Sequence, residues 1–172
     1  MSVQPLCQEP HPVLRSLAKP VQAFTDEIRR LGEDLIDTMY AHDGIGLAAP
    51  QIGRALQAIV VNPSQVSGRE VVLINPVLEA AEGRAGIVEG CLSVPKVWHR
   101  VSRAARVRVR GHDPAGHSLT VDAKGLLAIV LQHELDHLQG RLFVDRLSWV
   151  RRCWAYARIR ALGRQSALAG CG

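Results

Sequence analysis

The sequence lacks the long apolar runs and the paired cysteines that are typical of membrane proteins and of disulfide-rich secreted proteins. No apolar stretch approaches the roughly 20 residues that a membrane-spanning helix needs, and the segment 1–20 has no apolar core of a signal peptide. The four cysteines form no Cys-x-x-Cys pair, so a disulfide framework is not expected. We therefore expect a cytoplasmic protein.

Internal repeats, low-complexity tracts and linkers are also absent from the 172 residues, so we predict a single domain, 1–172. A chain of this length can bury a substantial core. Its net charge of +5 permits attraction to a polyanion but does not establish it, because many enzymes are as basic. We expect no membrane and no DNA partner.

The strongest chemical signal is the segment Gln132-His133-Glu134-Leu135-Asp136-His137. Positions i and i+4 lie on one face of a helix, so His133 and His137 could bind the same metal ion. Glu134 could then act as a general base toward a water on that metal. The alternative interpretation is a pair of ordinary histidines on an amphipathic helix.

The residues before this segment predict that it lies on a buried helix. Apolar side chains lead to the two histidines at helical spacing, and the stripe consists of Leu126, Ile129, Val130, His133 and His137. Asp122 is a candidate N-cap for this helix, and Gly140 is a candidate stop.

Two further helices and several short strands are predicted elsewhere. Helical spacing indicates a helix at about 26–41 and a basic C-terminal helix at about 146–162 that ends near Gly163. Apolar alternation and turn residues predict strands at 55–61, 71–74, 77–81, 106–110 and 118–121. The predicted fold is α+β, with short mixed and antiparallel strands packed around a central metal-binding helix.

A catalytic metal of this kind usually has three protein ligands and one water, so a third ligand is needed. In metzincin proteases this ligand is a later histidine, but the corresponding position here is Phe143. Cys91 is the better candidate, because it follows Gly90 in a segment that also contains Pro95, and a thiolate binds zinc or ferrous iron strongly.

The glycine-rich segment 44–53 is unusually apolar for a loop. Its three glycines would let the backbone approach a ligand closely, and Gln51 is its only polar side chain. The segment could equally be a tight connection into the following strand.

Three segments together resemble the signature motifs of the peptide deformylase family. These segments are Gly44-Ile45-Gly46-Leu47-Ala48-Ala49-Pro50-Gln51, Glu89-Gly90-Cys91-Leu92-Ser93 and the histidine segment 132–137. They occur in the family's order and at its usual separations, and the similarity covers nearly the whole chain. The resemblance implies a metal-dependent hydrolase that removes the formyl group from the formyl-methionine of newly made polypeptides and releases formate.

The resemblance also implies roles for individual residues. The implied metal is most often Fe2+, with Zn2+, Ni2+ or Co2+ as alternatives, and its implied ligands are Cys91, His133 and His137. A metal-bound water would attack the formyl carbon, while Glu134 takes the proton of that water and passes it to the departing amine. The side-chain amide of Gln51 and the backbone N–H of Leu92 match the positions that stabilise the oxyanion.

Further matches concern the substrate groove and the surroundings of the metal. The positions that match an apolar methionine pocket are Ile45, Ile87, Leu126, Ile129 and Val130, although the last three could simply belong to the core. Gly46 matches a position whose backbone pairs with the extended peptide. Glu89 and Arg103 match an ion pair beside the metal, and Asp136 could orient part of the site or face solvent. Trp98 stands where enterobacterial-type members often carry an arginine near the substrate path.

Two other functions remain open. The first is a zinc peptidase built on the same histidine motif. The second is a non-catalytic, metal-stabilised module that docks on the ribosome through its C-terminal segment, which carries no acidic residue after Asp145 and whose arginines include Arg151, Arg152, Arg158, Arg160 and Arg164. Ribosome docking is also compatible with the deformylase interpretation, and the alternative for the arginines is a solvated basic face.

Overall fold

The structure is a computed structural model that describes residues 2–169, and for residues 163–169 it describes the backbone alone. Cys171 and the side chain of Arg164 lie outside the described part. Within residues 2–169 the chain forms three helices, which are α1 (Asp26–Ala41), α2 (Leu126–Leu138) and α3 (Trp149–Ala169). It also forms seven strands, which are β1 (Gly46–Ala48), β2 (Ala58–Val61), β3 (Val71–Glu82), β4 (Ala85–Cys91), β5 (Val94–Arg103), β6 (Arg106–His112) and β7 (Ser118–Lys124).

The strands form one five-stranded sheet in the order β1-β2-β3-β6-β7 and one two-stranded sheet of β4 and β5. All strand pairs are antiparallel, and parallel pairing among the described residues is limited to an isolated bridge between Lys19 and Leu56. The segments 71–74 and 77–81 belong to one strand, β3, which continues through a register shift at Asn75. These sheets and helices confirm the predicted α+β class.

The five-stranded sheet is buried on both faces at β1 and β2, because α1 and α2 pack on opposite sides of these strands. Successive residues of β2 are all buried, with Ile59 in the cluster that includes residues of α2 and Val60 in the cluster that includes residues of α1. In α2 the cluster residues include Leu131 and Leu135. Because β2 is buried on both faces, α2, which packs on one of these faces, lies in the interior of the molecule.

The start of α2 differs from the sequence prediction, whereas its end agrees. Gly125 occupies the N-cap position with a φ of 61°, and the predicted cap Asp122 lies in β7, where its carboxylate pairs with Arg108. The helix ends at Leu138, and Gly140 follows with a φ of 67°. A Cβ atom at Gly140 would lie 2.6 Å from the carbonyl oxygen of Arg15, so the position requires glycine.

The C-terminal helix begins later and extends further than the predicted 146–162. A short 3-10 turn, Phe143–Arg146, precedes it, and α3 runs from Trp149 through Gly163 to Ala169. Its inner face packs on the β4–β5 sheet in a cluster that contains Val97, Val101, Phe143 and Ala155. None of the helices within residues 2–169 combines the length and the apolar character that crossing a membrane requires.

Candidate active site

Helix α2 and the end of strand β4 bring together the three predicted metal ligands. The ligand atoms of Cys91, His133 and His137 all lie within 4.8 Å of one another, and the Cys91 Sγ atom is 3.3 Å from His137 Nε2. One thiol and two imidazoles form a donor set that suits zinc or ferrous iron. The arrangement fits a single metal ion with three protein ligands.

A buried ion pair fixes the orientation of His133. The Nδ1 atom of His133 lies 2.8 Å from Glu89 Oε2, so the Nε2 atom is available to bind a metal ion. Arg103 donates to both oxygens of Glu89, at 2.5 Å from Nε and 2.8 Å from Nη2. Burial alone would raise the pKa of Glu89, but its hydrogen bonds with Arg103 and His133 lower it. The carboxylate therefore stays ionised and holds the imidazole in place.

The same arginine, Arg103, also binds the carboxylate of Asp136, a residue that is buried. The distance from Arg103 Nη1 to Asp136 Oδ2 is 2.8 Å, and Arg146 Nε donates to the same oxygen at 3.0 Å. Asp136 therefore faces the buried network rather than solvent. The sequence alone does not indicate a role for Arg146, because nothing in the local pattern after the helix links this residue to the metal motif.

The carboxylate of Glu134 is buried beside the predicted ligands and lines the same cavity as His133. Burial raises the pKa of Glu134 to about 7. Within the described part of the chain, its Oε2 atom has no hydrogen-bond partner. A Cβ atom at Gly46 would lie 2.5 Å from Glu134 Oε1, so the carboxylate rests against bare backbone there. A carboxyl group with a pKa near 7 is suited to exchange protons at neutral pH.

The environment of His137 favours the neutral imidazole. Burial lowers the pKa of His137 well below its usual value, and the nearby His133 lowers it further. Metal ligation requires this neutral form. Among the described residues the Nδ1 atom of His137 has no hydrogen-bond partner.

The amide of Gln51 is held in one orientation by the backbone and by a buried serine. Gln51 lies in a 3-10 turn, Ala49–Ile52, and its Oε1 atom accepts a hydrogen bond of 2.8 Å from the Ala48 N–H. Its Nε2 atom then points toward Ser93 Oγ at 3.3 Å and toward Cys91 Sγ at 3.6 Å. The donor face of the amide is thus aimed at the predicted metal site. Ser93 is a second residue that sequence analysis did not assign a role.

The N-terminal arm, which is the segment 2–25 that precedes α1, supports this arrangement through its backbone. The Cys7 N–H donates to the Gln51 carbonyl at 2.7 Å, and the Glu9 N–H donates to the Ser93 carbonyl at 2.9 Å. The arm therefore bridges the glycine-rich loop and the β4–β5 turn. The arm contains several prolines and shows no helical or strand periodicity, so its contacts could not be predicted from the sequence.

A cavity of about 800 Å³ lies beside the predicted metal site and is lined by His133 and Glu134. It is lined by every residue that the sequence predicted for the substrate groove, namely Ile45, Gly46, Ile87, Leu126, Ile129 and Val130. Gln51, Cys91 and Leu92 lie on the same lining. The cavity therefore places an apolar pocket beside the predicted metal site. Its lining also contains residues that the sequence predictions did not include, among them Leu6, Gln8, His42, Asp43 and Val88.

Comparison with known proteins gives a consistent assignment. The sequence profile described as polypeptide deformylase matches residues 3–152. A peptide deformylase of Acinetobacter baumannii (strain SDF) is 43% identical over 166 residues, which is 96% of this chain and 94% of that protein.

Solved structures agree in fold as well as in sequence. The crystal structure of a peptide deformylase from Legionella pneumophila is 38% identical with a TM-score of 0.90, over 96% of this chain and 98% of that chain. The peptide deformylase of Thermus thermophilus is 41% identical with a TM-score of 0.86, over 92% and 94% of the two chains. The chain therefore belongs to the polypeptide deformylase family of hydrolases.

Proposed function

We propose that this protein is a metal-dependent deformylase that removes the N-formyl group from the formyl-methionine of newly made polypeptides and releases formate. The observation that supports this most directly is the buried Glu134 carboxyl group, which shares one apolar cavity with Cys91 and His133, two members of the cluster that His137 completes. Activity on new polypeptides would place the protein in the cytoplasm, where they are made.

The residues that would hold the metal are Cys91, His133 and His137, and Fe2+ is the favoured ion, with Zn2+, Ni2+ or Co2+ as alternatives. A bound divalent ion supplies Lewis acidity and lowers the pKa of water. Glu89 and Arg103 contribute by keeping His133 in the required orientation.

Glu134 carries the proton in the proposed reaction. As a carboxylate it takes a proton from the water that attacks the formyl carbon, and it then delivers this proton to the departing amine nitrogen. The C–N bond of the formamide breaks, and the products are formate and a free methionine amine. Without a metal, burial raises the pKa of Glu134 to about 7, so this carboxyl group can adopt both of the protonation states that the reaction requires.

Gln51 and Leu92 would stabilise the charge that develops on the formyl oxygen. The Gln51 amide is already oriented by its bond from the Ala48 N–H, so no reorganisation is needed during the reaction. The backbone N–H of Leu92 is the proposed second donor, since Leu92 follows Cys91 and lines the cavity.

The substrate would enter as an extended strand between the edges of β1 and β4. Both strands are edge strands, and residues of both line the cavity, including Gly46 of β1 and Ile87 of β4. Backbone pairing would give affinity without side-chain selectivity. Selectivity for methionine would come from the apolar wall that Ile129 and Val130 form, because both are buried on the central helix.

The test is release of formate from formyl-Met-Ala-Ser by anaerobically prepared, metal-replete protein. Glu134→Ala should bind metal but release at least about a hundredfold less formate, because a general base is typically worth that much. Glu33→Ala, at an exposed position of α1, is the matched control and should retain activity. Cleavage within unformylated Met-Ala-Ser would instead support a peptidase, and bound metal without any formate would support a structural site.

We also propose that α3 brings the enzyme to the ribosome through its exposed arginines, which include Arg151, Arg158 and Arg160. Cationic side chains bind phosphate backbones in a salt-dependent manner. Replacing these three arginines with glutamine should abolish co-sedimentation with ribosomes at low salt, whereas the same change at the exposed Arg29, Arg30 and Arg69 should not. Equal co-sedimentation of both triple variants would contradict the proposal.

A further inference from the structure

Trp98 is a large apolar side chain that stays exposed at the edge of the cavity. Trp98 lies on β5 and belongs to the lining of the cavity, yet 66% of the residue is exposed to solvent. The six-membered ring of its indole lies over Gly90 of β4, where a Cβ atom would come within 2.3 Å of Trp98 Cζ3 and 2.4 Å of Cε3. Only glycine at position 90 allows the ring to reach across β4 toward the groove.

The β4–β5 hairpin presents two different faces. Ile87, Glu89 and Cys91 alternate along β4 on the face that carries the predicted metal ligand and the contact with His133. Val88 pairs directly with Arg100, and a Cβ atom at Gly90 would meet the Trp98 ring, so both positions belong to the opposite face although the register shifts between Glu89 and Cys91. Val88 is 58% exposed and, like Gly90 and Trp98, lines the cavity. The hairpin thus carries an apolar surface, Val88 and Trp98, next to the open edge of β4.

A peptide that pairs with this edge would place alternate side chains on alternate faces. This step rests on the proposed function, in which the formyl-methionine side chain enters the pocket that includes Ile87. The side chain of the next residue must then project to the other face, where Val88 and Trp98 are. The third residue would return to the first face.

We propose that Trp98 is a specificity-determining residue that receives the side chain of the residue after formyl-methionine. Its exposed ring offers a flat apolar surface that a small side chain cannot cover and a large apolar or aromatic one can. Contacts between aromatic rings are worth roughly a two- to tenfold change in an equilibrium constant beyond simple burial. The enzyme therefore prefers substrates with a large apolar or aromatic second residue.

The competing explanation is that Trp98 only covers the backbone at Gly90. A large side chain across from a glycine can stabilise a strand pair in this way. The hairpin contains a matched control, because Arg100 lies on the same face of β5 and covers Gly86, with its Nε atom 3.0 Å from where a Cβ atom would stand. Among the described residues, neither Arg100 nor Gly86 belongs to the lining of the cavity.

The experiment compares formyl-Met-Phe-Ser with formyl-Met-Ala-Ser for the metal-replete wild type, Trp98→Ala and Arg100→Ala. The wild type should show a ratio of kcat/KM about two to ten in favour of the phenylalanine peptide, expressed mainly in KM, because the contact exists in both the ground and the transition state. Trp98→Ala should bring the ratio to about one, and Arg100→Ala should keep the wild-type ratio. If Trp98→Ala fails to fold, Trp98→Leu, which still covers Gly90, should show a reduced ratio.

Three results would overturn the proposal. The first is a wild-type ratio near one, and the second is a ratio that Trp98→Ala leaves unchanged. The third is an equal loss of kcat/KM for both peptides in Trp98→Ala with the ratio preserved, which would assign Trp98 only to covering Gly90. Failure of the wild type to release formate from either peptide would instead refute the deformylase function itself, and this specificity with it.

Discussion

The buried network around Arg103 allows a quantitative test of what holds the site together. The Arg103 side chain is 2% exposed and bonds two carboxylates, Glu89 and Asp136, whose side chains are 6% and 4% exposed. Replacing Arg103 with methionine keeps most of the volume but leaves both carboxylates without this partner. Removal of one member of a buried ion pair typically costs about 3–5 kcal/mol, because the remaining charge is buried without compensation.

A loss of this size is large relative to the total free energy of unfolding, which is about 5–15 kcal/mol for an ordinary domain. With about 2–4 °C of Tm for each kcal/mol in a chain of this length, the Tm of Arg103→Met should fall by roughly 6–20 °C. The assay is thermal and urea unfolding of metal-free protein, followed by circular dichroism. Metal-free protein is used because a bound ion would add its own stabilisation.

Two further variants identify the cause of the loss. Arg108→Met removes a guanidinium that also bonds a carboxylate through two nitrogens, at 2.7 Å and 3.0 Å from Asp122, but on the protein surface. Its Tm should change little, because exposed ion pairs contribute little to stability. The double variant Arg103→Met/Glu89→Gln should recover part of the lost Tm, because one buried charge is removed. A Tm for Arg103→Met equal to that of Arg108→Met would refute the reasoning.

Four other predictions concern the site and its supports. Glu134→Gln should bind metal normally, yet release formate roughly a hundredfold more slowly or worse in the formyl-Met-Ala-Ser assay. In the metal-free protein, burial raises the pKa of Glu134 to about 7. The free energy of unfolding should therefore be highest below pH 4.5, where Glu134 is protonated in both states, and should decline as the pH rises to 7. Urea titrations at several pH values should show that Glu134→Gln removes this decline. Gly46→Ala should lower kcat/KM strongly while metal content stays normal, because its Cβ atom would lie 2.5 Å from Glu134 Oε1. The Asp145 pKa is lowered by its bonds from Leu142 N–H, Tyr156 and Arg15, against the effect of burial; Asp145→Asn should therefore destabilise the protein at pH 7 and lose this effect as the pH falls below about 4, and an equal Tm difference at both pH values would contradict this.

Local periodicity explains why the central helix and its histidines could be predicted. The stripe from Leu126 to His137 has the spacing of one helix face, and the structure places these residues on α2. Asp122 was misassigned because a polar residue ahead of a helical pattern looks like an N-cap, whereas Gly125 turns the chain from β7 directly into the helix. Gly163 does not end α3, since glycine within a helix costs only about 1 kcal/mol.

The supports of the site were harder to predict because they join distant segments. Arg146 reaches Asp136 across the turn that follows α2, and Ser93 meets Gln51 although the two are 42 positions apart. The long strand β3 was predicted as two short strands, 71–74 and 77–81, for a similar reason. Asn75 has a φ of 51° and bonds Val21 through its side chain, so tertiary contacts rather than local pattern explain why the strand continues there. Contacts of this kind leave no periodic signal.

The position of the N-terminal arm determines when during synthesis the site can be completed. The arm is made before its partners, because the Ala18 N–H bonds the Leu138 carbonyl, 120 positions later, and Arg15 pairs with Asp145. Contacts of such long range form slowly, because the intervening chain must be ordered before they can close. A growing chain that stops short of Asp145 already contains Cys91, His133 and His137, yet its Arg15 still lacks two partners, Asp145 and Tyr156. The contacts of the arm can therefore be completed only after Asp145 and Tyr156 have been made.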